Sequence, residues 1–342
     1  MSGVAPVAIR NIGLVSSVGL STPAACAAIR AKLTNPVETR FIDQGGKWIQ
    51  AHEVPLEKSW RGLERLARMA AMAIEECLAD VPPEEWSQIP VLLCVAEQDR
   101  PGRIENLDTQ LTTELEQLVN VRFGAGSAVV PHGRTAVAVA LKHARELIVS
   151  SRASRALIVT SDSLLCWETL QHYLQADRLL TKRNANGFMP GEGAGALLVD
   201  TPSGAVELLC TGLGFAMEAA HINSEEPLRG DGLTGAIKGA LAEADRAMHD
   251  MDYRITDVSG EQYYFLEASL ALARTLRQRK PRFDIWHPAE STGEAGALAG
   301  AAIIALADAA SRKGFSLGNN ILAHMSNDSG HRAAMTLQFG AV

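Results

Sequence analysis

The sequence predicts an α/β fold made of two similar halves, and three observations support this prediction. Short apolar runs typical of buried strands alternate with stretches in which apolar residues recur every three or four positions. The same order of helix, strand, glycine turn and hairpin occurs at residues 134–199 and again at 293–339. The chain has 342 residues and is 47% hydrophobic, enough to fill a large core. We therefore expect one compact duplicated domain with halves 1–204 and 205–342.

In the first half, the alternation of strands and helices favours buried parallel strands. A strand over residues 7–15 comes first, and a helix over residues 22–33 follows it, with Ser21 or Thr22 as the N-cap. The further elements are a helix over 63–78, a strand over 89–95, a helix over 103–118, a helix that begins at Arg134, and strands over 156–160 and 196–199. The halves are predicted to meet at residues 201–204, which include a proline and a glycine.

The helix that begins at Arg134 has a clear amphipathic pattern. Val137, Leu141, Ala144 and Ile148 recur at a period near 3.6 residues and therefore share one face. The second half repeats this order of elements. Its predicted elements are a strand over 206–209, an amphipathic helix marked by Leu233, Ile237, Leu241 and Met248, a strand over 255–258, a helix over 265–277, a strand over 283–286, a small-residue helix over 293–310, and strands over 321–324 and 335–339.

Composition excludes several classes of function. The net charge is −7, and an acidic balance argues against nucleic acid or an anionic membrane as the main partner. The five cysteines are widely spaced and form no C-x-x-C pair, so neither a disulfide framework nor a zinc site is expected. No basic segment followed by a long apolar one opens the chain, and no run of 18 apolar residues occurs. We expect a cytoplasmic protein without metal or cofactor.

Four segments resemble those of a known family. Residues 12–19 look like an opening strand and turn, and residues 186–195 (NGFMPGEGAG) look like a DGFVxGEGAG hairpin. Residues 220–223, followed by Pro227, look like H-x-T-x-P, and residues 293–300 look like GAAGAIEA. In this order the segments resemble the thiolase-like superfamily, and within it the β-ketoacyl synthases. The resemblance spans nearly the whole chain and implies two βαβαβαββ halves in an α-β-α-β-α layered domain.

The functional positions of that family have changed here. The resemblance places the acyl-accepting cysteine at the start of the helix that begins at Arg134, or at His132 if a gap of two residues is allowed. The family's two catalytic histidines correspond to Ser259 and Glu290, and a gating phenylalanine corresponds to Asp328. A helix N-terminus favours the thiolate of a cysteine, whereas a guanidinium stays protonated and cannot accept an acyl group. Four changes together predict lost catalysis.

An arginine at a helix N-terminus is unfavourable unless a carboxylate offsets its charge. We therefore expect Arg134 to fill the old pocket as a buried ion pair, with Glu261, Glu290 or Asp328 as its partner. An alternative is that Ser259 attacks a thioester with Glu290 as its base. The residues expected in the pocket are His132, Glu261, His287 and Asp328. Cys166 could be read as a displaced nucleophile, but the commoner role of a free cysteine predicts a small buried apolar residue.

Three functions fit these predictions. The first is a non-catalytic partner or adaptor. Some family members without the cysteine pair with an active ketosynthase, and others with a GFxPGE hairpin accompany bacterial type VI secretion effectors; Pro190 favours the second group. The second is an acyltransferase or thioesterase with altered chemistry. The third is a module that binds an acyl chain or an acyl carrier protein. The resemblance implies a homodimer or heterodimer that uses the strand over 156–160 as its interface.

Overall fold

The computed structural model describes residues 4–341. The first half contains β1 (Val7–Ser16), α1 (Thr22–Arg30), β2 (Val37–Ile42), β3 (Trp48–Ala51), α2 (Gly62–Cys77), α3 (Pro83–Trp86), β4 (Val91–Cys94), α4 (Leu107–Leu118), β5 (Ala128–Val130), α5 (Ala136–Val149), β6 (Arg155–Ser163), α6 (Trp167–Gln175) and β7 (Glu192–Asp200). The second half contains β8 (Glu207–Met217), α7 (Asp231–Glu243), β9 (Tyr253–Thr256), α8 (Gln262–Thr275), β10 (Ile285–Trp286), α9 (Ala289–Thr292), α10 (Leu298–Arg312), β11 (Asn320–Ser326) and β12 (His331–Gly340).

The strand order is the same in the two halves, apart from the β2–β3 hairpin, which forms its own small sheet. The first half has the order β5-β4-β6-β7-β1, and the second has the order β10-β9-β11-β12-β8. Antiparallel pairing of β1 with β8 joins the two sheets. The predicted βαβαβαββ repeat is confirmed. The expectation of parallel strands holds only for β4, β5 and β6 and for β9, β10 and β11, because the strands nearer the junction pair antiparallel.

Helices α5 and α10 form the central layer between the two sheets. Apolar side chains of both helices share one core cluster with strand residues of both halves. Separate clusters on the outer faces join α2 and α4 to the first sheet and α7 and α8 to the second. The central helices cross at Gly300, where a Cβ atom would lie 2.5 Å from Cβ of Val137. The five-layered arrangement is therefore confirmed, and it places the N-terminal ends of α5 and α10 at its centre.

The structure differs from the predicted elements in several places. The β2–β3 hairpin, α3, β5, α6 and α9 were not predicted. The helix expected over 293–310 is broken, because Gly293 and Gly296 have φ values of +68° and +56°, which a helix does not tolerate. The prediction that residues 156–160 form a dimer interface is wrong. These residues lie within β6, which is paired on one side with β4 and on the other with β7. Among residues 4–341, no helix is long and apolar enough to cross a bilayer.

Candidate functional site

Arg134 is held at the start of α5 by the backbone around it. A single 3₁₀ turn, Gly133–Thr135, links β5 to the helix. Gly133 has a φ of +47°, a conformation that favours glycine, and a Cβ atom there would lie 1.9 Å from a carboxylate oxygen of Glu97 unless that side chain moved. The Arg134 residue is 6% exposed. The turn therefore directs a guanidinium into the interior, where the resemblance expects a thiol.

The guanidinium of Arg134 is surrounded by acceptors from the second half. It donates hydrogen bonds to Oδ1 of Asp328 at 2.6 Å, to the Tyr264 hydroxyl at 2.7 Å and to Oε2 of Glu294 at 3.3 Å. Its Nε atom lies 3.9 Å from a carboxylate oxygen of Asp257. The ring of Tyr264 also lies against the guanidinium, whose carbon is 4.6 Å from the ring centroid. A buried arginine with this many partners is a satisfied structural group.

A second arginine completes the cluster. Arg178 donates to both carboxylate oxygens of Glu261, at 2.7 and 2.8 Å, in the bidentate geometry that suits a guanidinium. It also donates to both oxygens of Asp328, at 2.7 and 3.0 Å. Asp328 is therefore shared between two arginines, and the Tyr173 hydroxyl donates to it as well. We call the six residues Arg134, Arg178, Asp257, Glu261, Glu294 and Asp328 the central ion cluster.

The charges of the central ion cluster are divided between the halves of the fold. Both arginines belong to the first half, on the turn before α5 and the segment after α6. All four carboxylates belong to the second half, in the segments after β9, before α8, before α10 and after β11. Every ion pair of the cluster therefore crosses from one half to the other.

Burial and charge shift the pKa values of the cluster in opposite directions. Burial raises the pKa of Glu294 to about 7, because the nearby Arg134 only partly offsets desolvation and the other carboxylates oppose ionisation. Burial likewise raises the pKa of Asp257, again with Arg134 acting against it. For Asp328, burial is outweighed by Arg134 and Arg178, and its pKa lies well below the ordinary value. The Asp328 carboxylate therefore stays ionised within the cluster, while Glu294 titrates near neutral pH.

Little space remains around these side chains. The cavity lined by Arg134, Arg178, Glu261, Glu294 and Asp328 has a volume of about 20 Å³. A water molecule needs roughly 10–15 Å³ of such volume, so the cavity has room for about one water. No histidine lines this cavity within the described chain. The space around Arg134 at the start of α5 is therefore filled mainly by ion pairs.

Ser259 lies beside the cluster without the surroundings of a nucleophile. Its hydroxyl donates to Oε2 of Glu294 at 3.0 Å, the same oxygen that accepts from Arg134. The base expected for it was Glu290, but the carboxylate that it contacts is Glu294. Glu294 is also bound to Arg134, so it is not a free general base for the serine.

Two residues expected in the pocket lie elsewhere, and those expectations are wrong. Glu290 is in α9 with a side chain 55% exposed, and its nearest cation is Lys32, 4.0 Å away. His287 shares a hydrogen bond of 3.0 Å with the Thr256 hydroxyl. Together His287 and Glu290 line a separate cavity of about 230 Å³. The physical reason is the break before α10, which turns α9 away from Arg134.

The two other pocket residues have different partners from those expected. Glu261 lines the small cavity but pairs with Arg178 instead of Arg134. His132 does not line the cavity; its ring packs edge-on against His331, with centroids 6.0 Å apart. The carbonyl of His132 accepts a hydrogen bond from the Asn327 side chain at 2.8 Å, which ties the turn before α5 to the turn that carries Asp328. Its role is therefore to position the backbone.

Four residues of the site were missed, for identifiable reasons. Glu294 lies four residues after Glu290, and the glycine pattern of residues 293–300 can be matched at more than one register. Asp257 directly follows β9, and such a position is a common place for a functional side chain. Arg178 and Tyr264 lie in segments with no distinctive pattern, so no sequence signal marks them.

Sequence comparison gives a partial match. Residues 123–205 match the sequence model of the β-ketoacyl synthase N-terminal domain. This stretch runs from the segment before β5 to the end of β7 and includes Arg134. No curated protein matches the chain.

Several solved structures match nearly the whole chain. The ishigamide ketosynthase/chain length factor is 18% identical, with a TM-score of 0.77 over 98% of this chain and 99% of that one. The type II PKS acyl-carrier protein in complex with its ketosynthase, AntDE:AntF, gives 18% identity and a TM-score of 0.80 over 99% and 100%. The ketosynthase ApeO with its chain length factor ApeC, from Xenorhabdus doucetiae, gives 13% identity and 0.75 over 98% of each chain.

The chain has the thiolase-like fold of the β-ketoacyl synthases. In this ketosynthase-like chain, the start of α5 carries an arginine whose charge is matched by carboxylates of the second half. The glycine-rich hairpin of the family resemblance, residues 186–195, also has a structural role. Glu192, at its centre, is fully buried, and both of its carboxylate oxygens lie 2.9 Å from Nε of Arg65, which donates a bifurcated hydrogen bond to them. The scaffold of the family is therefore kept around a different interior.

Proposed function

We propose that this chain is a non-catalytic, cytoplasmic ketosynthase-like subunit that pairs with an active ketosynthase. The observation that carries the proposal is the central ion cluster, which fills the position of the nucleophile and leaves a cavity of about 20 Å³. A buried cluster of two cations and four carboxylates is costly to assemble unless its charges are offset. Both arginines are paired, and the raised pKa values of Glu294 and Asp257 favour the neutral forms of these carboxyls, which limits the excess negative charge. This arrangement supports a lasting structural role for Arg134.

The comparisons support a partner of the ketosynthase type. Two of the similar structures are described as a ketosynthase with a chain length factor, and a third as a ketosynthase with an acyl-carrier protein. We extend this assembly to the present chain as a proposal: it occupies the place of the chain length factor in a heterodimer.

The sheet order indicates where a partner would bind. Among the strands that the structure describes, β5 (Ala128–Val130) is the last of the first-half sheet and pairs only with β4. Its outer edge therefore carries backbone groups without a strand partner, which is the usual template for pairing with another chain. Ala128 and Val129 are partly exposed there. We place the ketosynthase contact at this edge.

The experiment is co-expression of the chain with a ketosynthase of the same organism, followed by native mass spectrometry. The expected result is a one-to-one complex in which condensing activity depends on both chains. Co-purification with a secretion component instead would replace the proposal by the adaptor function. Intact mass after incubation with an acyl thioester provides the second readout, and a covalent acyl group on this chain would contradict the non-catalytic role.

A matched pair of variants tests the proposed contact. Ala128→Glu places a charge on the edge of β5, and we expect it to weaken the heterodimer. Ala205→Glu makes the same change at an exposed position between the halves and is the control. Equal affinities of the two variants for the ketosynthase would show that the edge of β5 is not the interface.

A further inference from the structure

A sizeable cavity of the described chain lies apart from the central ion cluster. It has a volume of about 340 Å³ and is enclosed by the β2–β3 hairpin, the start of α2, residues 96–107 and the start of α6. The ion pair of Arg100 with Asp162, with contacts of 2.7 Å, borders it on the side of the cluster. The volume falls within the range of roughly 300–1,000 Å³ that small-molecule sites occupy.

The lining of this cavity is rich in arginine. Five arginines and three carboxylates line it, although the chain as a whole has a net charge of −7. The arginines are Arg40, Arg61, Arg65, Arg100 and Arg103. Three of these arginines already have a carboxylate partner. Arg65 pairs with Glu192, Arg100 with Asp162, and Arg103 with Asp108.

The remaining two arginines have no such partner. Within residues 4–341, no carboxylate lies within 4.0 Å of Arg40 or Arg61. Arg40 contacts an aromatic ring instead, with its guanidinium carbon 4.9 Å from the centroid of Phe41. Phe41 and Trp60 also line the cavity. The Phe41 ring stacks on Trp167 with centroids 5.8 Å apart, and the guanidinium carbon of Arg68 lies 4.3 Å from the Trp60 centroid. Unpaired guanidinium groups next to aromatic rings are suited to an anionic group carried by a flat apolar body.

We infer that this cavity binds a small organic anion, a carboxylate or a phosphate on a flat apolar body. Arg40 and Arg61 hold the anionic group, and Phe41 and Trp60 flank the apolar part. The site does not depend on the partner proposed above, because none of its lining residues belongs to β5.

A cysteine that was predicted to lie in the core lines the cavity, so its reactivity can report on access to the cavity. Cys166 was expected to be a small buried residue, but it is half-buried, precedes α6 as its N-cap and lines the cavity. Its Sγ lies 2.9 Å from the Thr169 hydroxyl. The other four cysteines are buried. Alkylation of Cys166 by iodoacetamide, followed by peptide mass spectrometry, therefore measures access to the cavity.

The test uses benzoate and phenyl phosphate as probes and neutral benzamide as the shape control. We expect at least one anion to slow alkylation of Cys166 in a saturable manner, while benzamide does not. Protection by benzoate alone, by phenyl phosphate alone or by both supports the site and identifies the group that it takes. Equal protection by benzamide, or no protection by either anion, would overturn it.

The second part of the test removes the charge of each arginine in turn. Arg40→Gln and Arg61→Gln each remove one charged hydrogen-bond donor and should each raise the half-protecting anion concentration about tenfold. Arg279→Gln, at an exposed position of the second half, is the control and should leave it unchanged. If both cavity variants keep the parent's half-protecting concentration, the assignment of the two arginines is wrong.

Discussion

The Nη2 atom of Arg134 lies 2.6 Å from Oδ1 of Asp328, and this contact joins the start of α5 to the turn between β11 and β12. Asp328 is held at the same time by Arg178 at 2.7 Å. An arginine at the N-terminus of a helix opposes the helix dipole, so it is stable there only because the carboxylates offset its charge. The contact therefore explains how the fold tolerates this substitution.

Removal of the Arg134 charge should destabilise the protein strongly. Arg134→Met leaves Glu294 without its cation and Asp328 with only Arg178. Breaking a buried pair by removing one partner costs roughly 3–5 kcal/mol of unfolding free energy. Urea unfolding followed by circular dichroism measures the loss, and Arg152→Met at an exposed site is the control. A loss no larger than that of the control would show that the cluster does not stabilise the fold.

The unfolding free energy should depend on pH through Glu294. Its folded-state pKa of about 7 is above the ordinary value of 4.5, so between these values the folded state binds the proton more tightly than the unfolded state. The contribution of Glu294 is therefore most favourable below pH 4.5 and is lost as the pH rises through 7. Relative to Glu294→Gln, the parent protein should lose stability between pH 5 and pH 8. A gain over that range would contradict the raised pKa.

Restoring a cysteine should not restore acylation. In Arg134→Cys the thiol would lie beside Glu294 and Asp328, and nearby negative charge raises a thiol pKa and disfavours the thiolate. No histidine of the described chain lines the cavity to stabilise an oxyanion. We expect no acyl group at residue 134 after incubation with acetyl-CoA, measured by intact mass and peptide mapping. Arg134→Ser is the control, and an adduct found only in the cysteine variant would show that the pocket is still functional.

The contact between the central helices should be sensitive to a single methyl group. In Gly300→Ala the new Cβ would lie 2.5 Å from Cβ of Val137, so α5 and α10 must separate. Overpacking of this kind costs typically about 1–3 kcal/mol. Gly235→Ala, on the exposed side of α7, is the control, since its nearest neighbour is a side-chain atom at 3.2 Å. If Gly300→Ala and Gly235→Ala lower the thermal unfolding midpoint equally, α5 and α10 are not tightly packed where they cross.

Much of the fold could be predicted because it depends on repeating local patterns. The period of Val137, Leu141, Ala144 and Ile148 fixes α5 and therefore places Arg134 at its start. The β2–β3 hairpin could not be predicted in the same way. Its strand pairing shifts register between Glu38 and Ile42, so the sequence alternation that marks a strand is interrupted.

The candidate site was predictable only in part, because its ion pairs connect distant segments. Asp328 was one of three carboxylates, with Glu261 and Glu290, that were expected as partners of Arg134. Glu294 was missed in favour of Glu290, since the choice depended on which glycines of a repeated pattern were matched. Arg178 was missed because 150 residues of chain separate it from Asp328, and no local property of its segment indicates a buried cation.

The division of charge between the halves also has a consequence for how the chain is made. Translation delivers Arg134 and Arg178 before any of Asp257, Glu261, Glu294 and Asp328 has been synthesised. Burying an unmatched guanidinium costs several kcal/mol, so the nascent first half does not close over these residues on its own. We therefore expect water to surround Arg134 and Arg178 until the second half has been synthesised and the two halves pack together. A chain stalled between β7 and β8 would therefore be an open target for proteases at α5.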